Sequence, residues 1–257
     1  MPNINYSNQT LGRGELRFSK FTTPTSYIPA GFEYLGNTTE FSMTVQAQML
    51  DHYSMDHGIQ EKDKSIPTRV DRTGKFTADS ISITNLGRFF FGDALTVTQT
   101  SSTAVSETLP PVIPGFSYQL GITANRPAGV KGVANVAITS KTAGVDFVFD
   151  AARGIITILA GGTIAAGATP TVTYDIVANS YDQIISGNVP VVGALMFVAD
   201  NPEGANVDYL MRYVRLVPNG DFSLKAENAW QQLPFTVEIL RAPGMAAIYA
   251  NGQPYTS

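Results

Sequence analysis

The 257 residues (27.6 kDa) are enough for one large or two smaller domains with real cores, and an apolar share of 44% excludes a disordered chain. With no cysteine there is no disulfide framework, thiolate nucleophile or Cys-bound metal, which excludes a small stapled secreted module. A net charge of −4, a pI of about 5.2 and Lys/Arg residues that never cluster beyond pairs such as Lys62 and Lys64 exclude a surface built to grip phosphates, though not nucleic acid that the protein merely encloses.

Charged residues are only 15% of the chain, and Gly, Thr, Ser, Ala and Val are abundant, a composition of many short strands. Met1 to Gln9 is polar, with neither a basic n-region nor an apolar h-region, so the chain is expected to fold in the cytoplasm without a signal peptide; no apolar run is long enough to span a membrane. Gly12-Arg13-Gly14 reads as a turn before a strand. Thr39 to Met49 alternates, with Phe41, Met43, Val45, Ala47 and Met49 on one face and Glu40, Ser42, Thr44, Gln46 and Gln48 on the other. Leu50 to Asp63 follows as a polar loop too long for a hairpin turn. Lys64 to Arg72 is a strand with no clean apolar face, and Thr73-Gly74 turns it into Lys75 to Ile81, completing a meander. A helix is expected from Asn85 to Phe91, with Thr84 as N-cap, Leu86, Phe89 and Phe90 on one face and Gly92 as its stop.

Beyond Leu95 the charges thin out. Runs at Phe116–Leu120, Val133–Thr139, Val145–Asp150, Gly154–Leu159 and Thr171–Ala178, separated by turns such as Ala160-Gly161-Gly162-Thr163, predict a small Ig-like sandwich inserted at residues 99–182. The enclosing domain comprises residues 1–98 and 183–257. Its second part resumes at Val191, with strands at Val207–Leu216, Phe222–Leu224 and Phe235–Leu240. Pro218-Asn219-Gly220-Asp221 makes a turn, Ala226–Leu233 is a weak helix carrying the sole Trp230, and the tail after Pro243 is a loose end. The fold class is therefore all-β with one flanking α-helix.

Chemistry is sparse. The only histidines, His52 and His57, share the polar loop with Asp51, Asp56, Glu61 and Asp63, but their spacing matches neither H-E-x-x-H nor a zinc-finger pair. No serine sits in G-x-S-x-G, neither Gly-rich stretch opens a helix, and Phe89, Phe90 and Phe91 have the spacing of core packing. The expectation is a protein that is not an enzyme and takes no metal or cofactor.

The segments Gly31-Phe32-Glu33-Tyr34-Leu35-Gly36-Asn37-Thr38, the Phe41 strand, Leu50-Asp51-His52-Tyr53-Ser54, Lys62-Asp63-Lys64-Ser65 and Asn85-Leu86 to Phe91-Gly92, followed by the Pro218–Asp221 turn and the strand from Phe235, together resemble the major tail tube protein of long-tailed (siphovirus-type) bacteriophages. The resemblance covers about two-thirds of the chain. Val145 to Leu159 is similar to hairpin-rich segments of several phage virion proteins. What this implies is a tail-tube β-sandwich that forms a barrel: six copies close a ring, inner strands join across subunits, and rings stack into a conduit for genome ejection. The implied location is the virion tail. The implied partners are further copies of the chain, tape measure, terminator and tip proteins, and phage DNA passing without specific binding, with no membrane contact. The loop residues Asp51, His52, Tyr53, Asp56, His57, Glu61, Lys62 and Asp63 would touch the adjacent subunit or ring. The acidic Glu40, Asp71 and Asp79 would face the lumen, and the inserted module would sit outside, where it cannot block the genome. The alternative is a carbohydrate-binding or adhesion β-sandwich module of a phage tail, for which the loops at Tyr6, Tyr27 and Tyr34 are the candidates.

Overall fold

The computed structural model describes residues 9–56 and 58–251, and among them the protein is all-β with a single helix. In chain order the elements are β1 (Gly14–Lys20), β2 (Glu33–Tyr34), β3 (Thr38–Ser54), β4 (Glu61–Ala78), α1 (Ile83–Phe89), β5 (Asp93–Gln99), β6 (Ser102–Thr108), β7 (Ser117–Gln119), β8 (Val133–Ile138), β9 (Phe147–Asp150), β10 (Ile155–Ile158), β11 (Thr171–Ile176), β12 (Asn179–Ile185), β13 (Val191–Ala199), β14 (Tyr209–Pro218), β15 (Leu233–Ile239) and β16 (Tyr249–Ala250). The chain divides into two compact units, Leu95–Gln183 and the residues on either side of it; the sequence reading had placed the boundaries at 99 and 182.

The enclosing unit is one sheet ordered β2-β1-β13-β14-β15-β4-β3, with β16 added on β14. The all-β class expected from sequence holds, and the enclosing unit takes the form of one sheet that rolls around its own core: β2 and β3 lie at opposite ends of the strand order, yet only Leu35-Gly36-Asn37 joins them, a link that reaches about 14 Å at most. Phe41 on β3 consequently meets Phe197 on β13 at 6.0 Å, while the sheet is not a closed barrel among the described residues. Leu16, Phe18, Phe76, Leu195, Met211, Leu216, Phe235 and Val237 fill the interior. The helix lies against it through Leu86 and Phe89, the latter 5.8 Å from Phe235. Its N-cap is Ser82, two residues before the expected Thr84, because the Ser82 hydroxyl accepts from the Asn85 amide at 3.1 Å. The buried Asn85 then ties the helix to the end of β2 by donating to the Leu35 carbonyl at 2.7 Å.

The inserted unit has its own core. Two three-stranded sheets, β7-β10-β9 and β6-β11-β8, enclose Leu120, Phe147, Ile156, Ile158, Val172 and Tyr174. The five runs read from sequence correspond to β7 to β11, whereas β6 is new. Its Ala104 has a positive φ of 54°, and the Asp175 carboxylate beside it accepts from the Ala104 amide at 2.7 Å and from Asn135 at 2.6 Å. The passages into and out of this unit, β5 and β12, pair with each other.

Several expectations are corrected. Thr73-Gly74 is not a turn but lies inside β4. Glycine is there because the Phe41 ring and the Ser42 carbonyl lie over it, so that an added Cβ would approach them to 3.2 and 3.3 Å. Residues 219–232 contain neither a helix nor a strand at Phe222–Leu224. The C-terminal stretch is not loose as far as Asn251, since Ala247 joins the core and β16 pairs with β14. Most important, the loop expected from Leu50 to Lys64 is a β-hairpin.

Candidate assembly site

Strands β3 and β4 pair continuously from Thr38↔Ala78 out to Ser54↔Glu61. Only Thr73–Ala78 of β4 has a second neighbour, β15. Beyond that point Val45–Ser54 and Glu61–Arg72 form a two-stranded arm about 33 Å long that touches no other strand among the described residues.

Two bulges shape the arm. Register shifts between Gln48 and Met49 and between His52 and Tyr53 leave Thr68 and Asp63 of β4 without a partner opposite. Parity on β4 flips at each, so Val70, Pro67 and Lys62 share one face despite their odd spacings. That is why no clean apolar face was legible in Lys64–Arg72. The resulting face carries Met43, Val45, Ala47 and Met49 of β3 with Val70, Pro67 and, opposite Val45, Arg72 of β4, a continuation of the core-facing side with no core to cover it among the described residues. The opposite face is polar, apart from the exposed pair Leu50↔Ile66. At the connection, Met55 and Ile59 are 71% and 78% exposed.

The contact residues proposed from sequence gather at the arm's end on both faces. Asp51 accepts from Lys62 Nζ at 2.7 Å and from Ser65 Oγ at 2.6 Å, which holds its carboxyl below the usual range and pushes the Lys62 ammonium above its own. On the other side His52 Nδ1 lies 2.6 Å from the carboxylate of Asp63, and the hydrogen bond with the histidine holds that carboxyl below its usual range. Tyr53 pairs with Lys62 and Ser54 with Glu61, Asp56 lies in the exposed connection, and His57 lies outside the described residues.

The three acidic candidates are not brought together. Glu40 and Asp71 share the polar face but stand opposite Thr77 and Gln46, six residue pairs apart along the ladder, whereas Asp79 lies past the end of β4 and accepts from Asn37 at 2.5 Å. That face is also balanced rather than acidic: Asp71 is paired with Arg69 at 2.8 Å, Arg215 lies 3.1 Å from Glu238, and Lys75 stands on the same face opposite Thr236. Among the described residues no group of His, Asp and Glu is placed to hold a metal ion. No helix is long and apolar enough to cross a membrane. Of the tyrosines, Tyr27 is packed edge-on against Tyr213 at 5.1 Å, Tyr34 is exposed on β2, and Tyr6 lies outside the described residues.

A family model described as "Protein of unknown function UCP028589" matches residues 10–253. The chain belongs to that family. No curated protein is similar enough to the chain to match it.

Two backbone edges of the arm with unsatisfied N–H and C=O groups flank an apolar face and a charged end. An isolated two-stranded hairpin is marginal in water, and long free edges template further pairing. What sequence reasoning missed was the apolar set Met43, Val45, Met49 and Val70 as exposed surface. Its signal was present in the alternation of Thr39–Met49, whose apolar face carries Met43, Val45 and Met49.

Proposed function

We propose that the protein is a structural subunit that polymerises with copies of itself, as stacked rings forming the tube of a phage tail and the conduit for its genome. The observation that carries this reading is the arm: about 33 Å of paired strand with a largely apolar face that is uncovered and no strand partner beyond its own hairpin among the described residues. A second copy supplies what the arm lacks. Taking two strands at a spacing of about 4.8 Å, the two faces and edges of such a ribbon approach the roughly 800 Å² per partner of a specific interface. Repetition around a closed ring removes free edges altogether. The resemblance to tail tube proteins supports the same reading, and a net charge of −4 per subunit suits a wall along which a polyanion slides.

Negative-stain microscopy of the purified full chain tests it. Hollow polymers of uniform width are expected. A protein that sediments as a monomer at high concentration, with no polymers on the grid, would overturn the proposal.

A further inference from the structure

Strands β14 and β15 are adjacent and antiparallel, so a two-residue turn could join them, yet the chain uses residues 219–232. The Asn219 amide donates to the Pro234 carbonyl at 3.0 Å and closes the neck, which makes the excursion an Ω-loop. It is held in shape from within. Phe222 anchors it against Phe89 and Phe90 at 5.9 and 6.3 Å, and Gln231 Nε2 donates to the Ser223 carbonyl at 3.1 Å. The side chains it presents outward are Leu224, 80% exposed, and Trp230, 92% exposed. Tryptophan carries a large apolar area and is enriched at the energetic centres of protein interfaces, so a self-braced loop that leaves its only indole in water is built for a partner.

A socket lies on the same unit. At the open seam of the rolled sheet, Leu11, Gly12, Phe41, Met43, Phe197 and Tyr209 line a groove of about 640 Å³, within the range of small-ligand pockets and roomy enough for an indole. Arg13 and Glu40 complete its polar rim. Trp230 is too exposed to occupy its own chain's groove. A knob and a socket at different places on one chain make a heterologous contact, which repeats from copy to copy. We propose that Trp230 of one copy docks in the seam groove of a second copy, an assignment that rests on the self-assembly reading above and names a contact within it.

Because Trp230 is the only tryptophan, intrinsic fluorescence reports this contact alone. Polymerisation should shift its emission to the blue and shield it from acrylamide. Trp230→Ala should raise the protein concentration needed to polymerise by about 30-fold or more. Gly12→Phe should fill the groove at a position where an added Cβ meets nothing within 4 Å, blocking assembly without changing the melt. Mixing the two variants needs no polymer: Gly12→Phe retains a knob and Trp230→Ala retains a socket. The mixture should form one-to-one dimers with blue-shifted emission, and neither variant should do so alone. Tubes with water-like emission, normal assembly of Trp230→Ala, or no dimer in the mixture would each overturn this contact while leaving the polymer reading intact. Absence of polymers from the unaltered chain is the separate result that overturns that reading.

Discussion

The β3–β4 arm and the Leu95–Gln183 unit are both excursions from the same rolled sheet, and they solve the problem of burial in opposite ways. The inserted unit encloses its own apolar residues, with Leu120, Ile156, Ile158 and Val172 fully buried between two sheets. The arm has no buried apolar residue beyond Phe76, the last aromatic before its base. Ordering a residue costs roughly 1–2 kcal/mol of backbone entropy, which a self-contained core offsets and a bare ribbon does not. The inserted unit is therefore expected to be stable by itself, and the arm to depend on what covers it.

The sharpest way to break this comparison is to remove each excursion in turn. Joining Gln46 to Asp71, which are cross-strand partners, through Asn-Gly deletes the arm at a ready-made hairpin register. The shortened chain should melt cooperatively as a monomer, with all polymerisation lost by microscopy. Replacing Leu95–Gln183 by a short Gly/Ser linker should leave both the fold and the polymers intact, with the tube narrower by the width of the lost unit if that unit decorates the outside. The excision is sterically undemanding: the chain crossings at Phe91-Gly92 and Ile185–Gly187 lie in backbone contact, with the Gly187 amide donating to the Phe90 carbonyl at 3.1 Å. Polymers formed without the arm, or lost with the insert although the remainder folds, would reverse the roles assigned here.

Point substitutions sharpen the same contrast at smaller cost. Ile156→Ala leaves a hole in the closed core of the insert and should cost about 2–5 kcal/mol, seen in the melt of isolated Leu95–Gln183. Val45→Ser on the arm removes an exposed methyl pair and should change monomer stability by no more than about 0.5 kcal/mol. It should nevertheless raise the concentration at which polymers appear, because in an assembly that side chain is covered.

How legible each region was follows from the same physics. Strands β7 to β11 of the insert were readable because each is short, is bounded by Gly, Pro or Asn, and alternates toward a local core, as Ile156 and Ile158 do, whereas β6 was missed. On the arm, period-2 alternation was visible only in β3. Bulges at Thr68 and Asp63 scrambled it in β4, and beyond Met49 the apolar positions are taken by Asp51 and Tyr53, so a strand resembled a polar loop. Gly74 was misread because its reason for being glycine, the Phe41 ring above it, is a cross-strand contact that no local pattern reveals. Trp230 was assigned to a helix because spacing could not show that the loop is braced from within by Gln231 and held against the end of α1 by Phe222.

The smallest expected effect concerns the charged end of the arm. Asp51 is held below its ordinary 3.8 chiefly by its hydrogen bond to Lys62 and then by Ser65, and Asp63 below the same value chiefly by His52. A carboxyl whose acidity is strengthened by folding contributes fully above its ordinary pKa, and that contribution is lost as pH falls through the lowered value. Lys62, raised by Asp51, contributes fully below its ordinary 10.5 and loses its share only at pH above that. The window in which the arm's end loosens is therefore acidic, from about pH 4 downward. Both pairs are solvent-exposed and screened, so the change should be no more than a few-fold in the hydrogen-exchange protection of residues 51–54 and 61–65, corrected for intrinsic rates, while β14 stays unchanged. Asp51→Asn should remove the pH response on one face of the arm and Asp63→Asn on the other, and the double variant should show at pH 7 the protection that the unaltered chain shows at pH 3. Protection that stays constant to pH 3 would mean that the backbone ladder alone holds the hairpin's end. The cross-strand carboxylates would then be free to pair with a neighbouring copy instead.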